Sequence, residues 1–138
     1  MTISCRDMFP YLGSIVSGQI QLNDKADIIQ KEWDLLPKKY KHVRLDEFVI
    51  MPNHVHGIIV FGDQDRNAKY SLGQVVAYFK YQTTKRINAL GGTAGCSFWQ
   101  RGYYDRVIRN TEEWQGVKKY IRENPEKIFP LSVKREVL

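Results

Sequence analysis

The stretch from Val43 to Phe61 restricts the fold more than any other part of the chain. Val43 to Met51 reads as a strand with Phe48-Val49-Ile50 at its buried centre. His54 to Phe61 reads as a second strand, apolar at Ile58, Ile59, Val60 and Phe61. Only Pro52-Asn53 separates them. A parallel return needs a crossover of about a dozen residues or more, so these two strands must pair antiparallel. Proline cannot donate to the ladder, so the chain re-enters the sheet at a fixed place.

The remaining segments divide into helical and extended patterns. Residues 2–6 read as a short strand, and 11–22, with Gly13 and Gly18, as a hairpin or turn-rich stretch. Ala26, Ile28, Ile29, Trp33 and Leu36 recur at helical spacing behind a cap at Asn23 or Asp24, and Pro37 is expected to stop that helix. Ser71-Leu72-Gly73-Gln74 has the form of a capping box. It opens a helix to Leu90 with Leu72, Val75, Val76, Phe79, Thr83 and Ile87 on one face. The runs 62–69 and 91–95 read as loops, and Tyr103 to Ile108 as a further strand. Asn110 can cap a last helix that Pro125 ends, and Ile128, Phe129, Leu131 and Val133 of the tail should pack somewhere. Strand, helix, strand, strand, helix, strand, helix in one domain over 1–138 is an α+β pattern, with helices on a mainly antiparallel sheet.

Composition narrows the function classes. The formal charge of +6 favours a polyanionic partner, most simply nucleic acid. Cys5 and Cys96 form no CxxC pair, which argues against a structural zinc site and a disulfide scaffold. No stretch approaches the ~18 apolar residues of a membrane span. The first residues lack the apolar core of a signal peptide, so a cytoplasmic, nucleoid-associated protein is expected.

In His54-Val55-His56 the two imidazoles sit at i and i+2 of a strand, hence on one face. They form a two-point chelate for a divalent cation, or else two histidines satisfied by hydrogen bonds. Mg2+ or Mn2+ would also need oxygen ligands and exchangeable positions. Tyr120 and Asn124, four residues apart on the last helix, share a face at the border of a Trp114, Val117, Ile121 stripe. The alternative is a core-edge tyrosine with a C-capping asparagine. A phenolate attacking phosphorus leaves a reversible phosphotyrosine link, which suits nicking and joining of strands. Lys80, Lys85 and Arg86 on the middle helix, Trp99, Arg101, Arg106 and Arg109 before the last, and Lys118, Lys119 and Arg122 on it are candidate nucleic-acid contacts, the alternative being solvated cations with Trp99 or Tyr104 in the core. Aromatic faces such as Tyr81 stack on unpaired bases while Arg and Lys hold phosphates.

Taken together, the segments Asp46 to Ile59, Phe98 to Asn110 and Tyr120-Ile121-Arg122-Glu123-Asn124-Pro125 resemble the HUH-superfamily single-tyrosine transposases. The closer likeness is to the branch of REP-associated tyrosine transposases. The resemblance implies a ferredoxin-like α+β fold, His54 and His56 as metal ligands, Asn124 as a third, and Tyr120 as nucleophile. It implies Mg2+ or Mn2+ as cofactor, single-stranded DNA hairpins as partners, and a 5′-phosphotyrosine intermediate with a free 3′-OH. Some such proteins are homodimers with shared active sites. Tyr103 and Tyr104 are rival nucleophiles, but only Tyr120 has Asn124 one turn away. A domesticated or inactive hairpin-binding protein on the same fold is the second reading, and a metal-binding structural domain the third.

Overall fold

In a computed structural model, residues 1–62, 70–91 and 95–124 are described. The expected loop at 62–69 beyond Gly62, the stop at Pro125 and the packing of the tail lie outside these residues. The elements are β1 (Thr2–Ser4), β2 (Gly13–Val16), β3 (Gln19–Leu22), α1 (Asp24–Lys39), β4 (Val43–Met51), β5 (His54–Phe61), α2 (Leu72–Gly91) and α3 (Thr111–Glu123), with a 3-10 turn at Arg6–Met8. The expected α+β arrangement is present: β1, β5 and β4 form an antiparallel three-stranded sheet in the order β1-β5-β4, and helices pack on it. Met51 faces His54 across the Pro52-Asn53 turn, as the short connection requires. β2 and β3 form a separate hairpin whose turn residues Ser17 and Gly18 both have positive φ, 51° and 77°, matching the right-handed twist of the pair.

Helix starts follow the side-chain chemistry. The Asn23 side chain accepts from the Lys25 N–H at 3.0 Å, and Asn110 Oδ1 accepts from the Glu113 N–H at 2.8 Å. Ser71 and Gln74 exchange hydrogen bonds at 2.9 and 3.3 Å, which completes the capping box. Pro37 does not stop α1, contrary to expectation; the helix runs through it to Lys39. So near the C-terminal end a proline forfeits one intrahelical bond, and burial of Trp33 and Leu36 holds the turn, which the Tyr40 N–H closes onto the Leu36 carbonyl at 2.9 Å.

Tyr103 to Ile108 does not form the expected strand. The chain instead touches β1 and the residue after it through two isolated antiparallel bridges, Thr2 with Tyr104 and Cys5 with Trp99. Gly102, at φ 73°, bends the backbone between them, and Lys80 donates to the Gln100 and Gly102 carbonyls at 2.7 and 3.0 Å. The ladder is broken where those carbonyls turn to the lysine.

The sheet has two unlike faces. Ile3, Val55 and Ile50 point to α1 and α2, where Trp33 stacks on Phe48 at 4.1 Å and Phe79 meets Trp33 edge-on at 6.2 Å. Gly57 lies on this side because a Cβ there would meet the Trp33 ring at 2.6 Å. Phe48 and Val49 are half-buried, and the most enclosed part of β4 is Ile50-Met51. The opposite face carries Thr2, Ser4, His54 and His56 and lies under α3.

Between Leu45 and Phe48 the β4–β5 register shifts, so that Asp46 and Glu47 together oppose Ile58. Such a bulge suspends the alternation of side chains. Both carboxylates consequently reach α3: Asp46 accepts from the Trp114 indole at 2.7 Å and pairs with Lys118 at 3.6 Å, and Glu47 pairs with Arg122 at 2.6 Å. Among the described residues no helix is long and apolar enough to cross a membrane.

Candidate active site

Antiparallel pairing puts Thr2 opposite His56 and Ser4 opposite His54, on the face away from the aromatic core. Both imidazoles are buried, at 1% and 0% exposure. Each has its Nδ1 occupied. His54 Nδ1 lies 3.0 Å from Asn53 Oδ1, and His56 Nδ1 lies 2.8 Å from Thr2 Oγ1. The Asn53 amide nitrogen donates to the Met8 carbonyl at 3.0 Å, so the amide presents its oxygen to the ring. His54 then keeps its proton on Nδ1 and its lone pair on Nε2. The two Nε2 atoms converge to 2.9 Å. The partners of the outer nitrogens thus aim both inner nitrogens at one point, as surrounding hydrogen bonds do for metal-binding histidines.

These residues fit a divalent cation. Two nitrogens each about 2.1 Å from one ion at right angles are about 3 Å apart. The Ser4 hydroxyl, opposite His54, is buried with no hydrogen-bond partner among the described residues. Among those residues no group of three His, Cys, Asp or Glu side chains is placed to hold a metal ion, so an added ligand from the described residues would be a neutral oxygen. Asn124, fully buried at the end of α3, is of that kind.

Tyr120 is brought against the same point. Its ring centroid is 5.9 Å from that of His56. Burial pushes its phenol above the ordinary value of 10.0, while a hydrogen bond with Asn124 pulls the other way. The position of α3 is set by Ile121 in the interior and by the bulge carboxylates of β4. Trp114 and Val117 of the expected core stripe are only half-buried. Tyr104 is a neighbour of Thr2 on the histidine face and is 44% exposed, whereas Tyr103 packs against the aromatic core.

The candidate DNA contacts separate into engaged and available groups. Trp99 is corrected: it is 4% exposed, its indole donates to Thr83 at 2.9 Å, and its ring packs beside Phe79 and Phe98, so it offers no face to a base. Lys80 is held by the two carbonyls, and burial lowers its pKa. Arg86 pairs at 2.7 Å with buried Glu32 of α1. Lys118 and Arg122 grip the bulge, and Arg106 lies 3.6 Å from Glu113. Lys119 makes only a loose 4.0 Å pair with Glu123 at the surface. Lys85 and Arg101 line an open groove with Tyr81, 62% exposed, and among the described residues no carboxylate side chain borders it. Arg109 lines a second cleft beside α3. Thr2, Asn53, Asp46 and Glu47 were not singled out as site residues from the sequence. Thr2 could have been found from the pairing of the first strand with the histidine strand, but the bulge left no comparable signal.

The family described as Transposase IS200 like matches residues 25–124. A curated protein of Haemophilus influenzae (strain ATCC 51907 / DSM 11121 / KW20 / Rd), described as an uncharacterized protein, is 32% identical over 142 residues, covering 91% of this chain and 78% of its own. The fold is similar to the solved structure of the REP-associated tyrosine transposase bound to a REP hairpin, with a TM-score of 0.62 and 18% identity over 90% of this chain. The chain spans 63% of that structure's length.

Proposed function

The chain belongs to the IS200-like transposase family, and on that premise we propose that it nicks and rejoins single-stranded DNA at hairpin-bearing ends through a covalent link to Tyr120. The observation that carries the reading is the meeting of two convergent histidine nitrogens, 2.9 Å apart, with a tyrosine ring 5.9 Å from one of them. The whole of 1–138 is read as one domain serving that site.

His54, His56 and the Asn124 amide would hold Mg2+ or Mn2+, which when bound neutralises charge on the non-bridging phosphate oxygens. Tyr120 supplies the nucleophile. Its oxygen forms the new P–O bond, the bond from phosphorus to O3′ breaks, and O3′ departs with a proton as a free 3′-OH. The phenolic proton passes to water. Rejoining is the reverse, with a 3′-OH attacking the 5′-phosphotyrosine. Burial disfavours the phenolate and the hydrogen bond with Asn124 favours it. Thr2 and Asn53 hold the imidazoles in the orientation the site needs. Lys85, Arg101 and Tyr81 offer cations and an exposed ring to the hairpin.

The test is a denaturing gel of protein incubated with Mn2+ and single-stranded hairpin DNA with flanking tails. The expected result is a slower-migrating covalent adduct that disappears with EDTA or in His56→Ala. Hairpin binding by a folded, Mn2+-loaded protein with no adduct on any such substrate would support the inactive hairpin-binding reading instead.

A further inference from the structure

Among the described residues, two sides of the site are held closed. At the Asn53 end it is shut: the Cys5 N–H bonds the Asn53 carbonyl, the Leu12 N–H bonds the Pro52 carbonyl, and Asn53 donates to Met8. Toward β4 it is shut by the bulge carboxylates gripping α3. On the histidine face, the residues that continue from His54 and His56 are Ile58 and Val60, and these floor a cleft of about 590 Å3. Its walls are Trp114 and Val117 of α3, the latter three residues before Tyr120, and the segment 105–110. Val107 on that segment is 70% exposed, an unusual setting for a valine beside an apolar floor. Arg109 also lines the cleft, and its guanidinium has no ion-pair partner among the described residues. Arg106 is tied to Glu113, Asp105 adds one carboxylate, and burial pushes the Met1 amino group down to about 6, so among the described residues lining the cleft Arg109 is the available cation.

A strand cut in the middle extends to both sides of the cut. With those two sides closed, the cleft over Ile58 and Val60 lies on a path that a neighbouring nucleotide can take along β5. We propose that this cleft holds the unpaired nucleotide next to the scissile phosphodiester, its base against Ile58, Val60 and Trp114 and its phosphate on Arg109. This rests on the DNA-cleaving reading above. The walls are mainly apolar, so the cleft takes a base for its flat face rather than for its hydrogen-bonding edge, and any of the four bases would serve.

The experiment uses wild-type protein in EDTA, where no cleavage occurs, and a tailed hairpin with 2-aminopurine or an abasic site stepped through the tail. One position should change fluorescence on binding, and an abasic site there should weaken binding by about tenfold, the scale of one stacked base. Arg109→Ala and Val107→Asp, both at exposed positions, should remove that positional signal while Mn2+ affinity stays unchanged. Val60→Trp, which fills the cleft, should do the same. An abasic site tolerated at every position, with adduct still formed in Mn2+, overturns the cleft and leaves the cleavage reading standing. A positional signal untouched by all three variants also overturns it. Failure of wild type to bind any tailed hairpin overturns both.

Discussion

On the α1–α2 side of the sheet, shape decides what fits: Trp33, Phe48 and Phe79 fill the space so closely that β5 needs a glycine at position 57. On the α3 side, hydrogen bonds decide. Thr2, Asn53 and the paired imidazoles are buried or half-buried polar groups whose partners fix their direction. One strand, β5, serves both sides by alternation, with Val55 and Gly57 in the core and His54 and His56 in the site. The difference separates two kinds of damage. Changes on the first side should cost folding, and changes on the second should cost chemistry at nearly constant stability.

The sharpest contrast is Tyr120→Phe. Adduct formation should fall on the order of a thousandfold or more while the melting temperature barely moves, because the ring is kept and the nucleophilic oxygen is lost. A large drop in melting temperature would instead make Tyr120 a packing residue. Phe79→Ala, on the other face, should destabilise by about 3–5 kcal/mol in urea unfolding, with metal affinity intact in the folded fraction. Thr2→Val keeps the shape opposite His56 and removes the partner of its Nδ1. Titration calorimetry should then show Mn2+ binding about 10–100-fold weaker. Unchanged affinity would break the link between β1 and the site.

Legibility in the sequence followed the same division. Features set by local chemistry were readable: the β4–β5 hairpin from its two-residue connection, and the caps at Asn23, Ser71 and Asn110 from side-chain type. The shared face of His54 and His56 followed from strand period. Features set by tertiary contact were not. Pro37 stays helical because Trp33 and Leu36 anchor the turn around it. Trp99 reads equally as a base-stacking face or as core, because nothing local says that its indole reaches Thr83. The bulge at Asp46-Glu47 breaks the very alternation on which strand reading relies, so two carboxylates that hold the tyrosine helix passed as ordinary strand residues.

Smaller effects refine the comparison. Cys5 is buried just after β1, and burial pushes its thiol from 9.0 up to about 12. The unfolded thiol ionises first, so the stability this group contributes is present below pH 9 and is lost as pH rises from there toward 12. Unfolding free energy measured across that range should fall more in wild type than in Cys5→Ala, and thiol alkylation of the native protein should favour exposed Cys96. Glu47→Gln weakens a solvent-facing pair with Arg122 and should cost no more than about 1 kcal/mol.

The central claim is that Tyr120, and not a tyrosine beside β1, attacks the phosphodiester at the histidine pair. Mass spectrometry of the trypsin-digested covalent adduct tests it most directly. The account predicts the nucleotide mass on Tyr120-Ile121-Arg122, the tryptic fragment between Lys119 and Glu123. Nucleotide mass on the fragment Gly102 to Arg106, which contains Tyr103 and Tyr104, would contradict it.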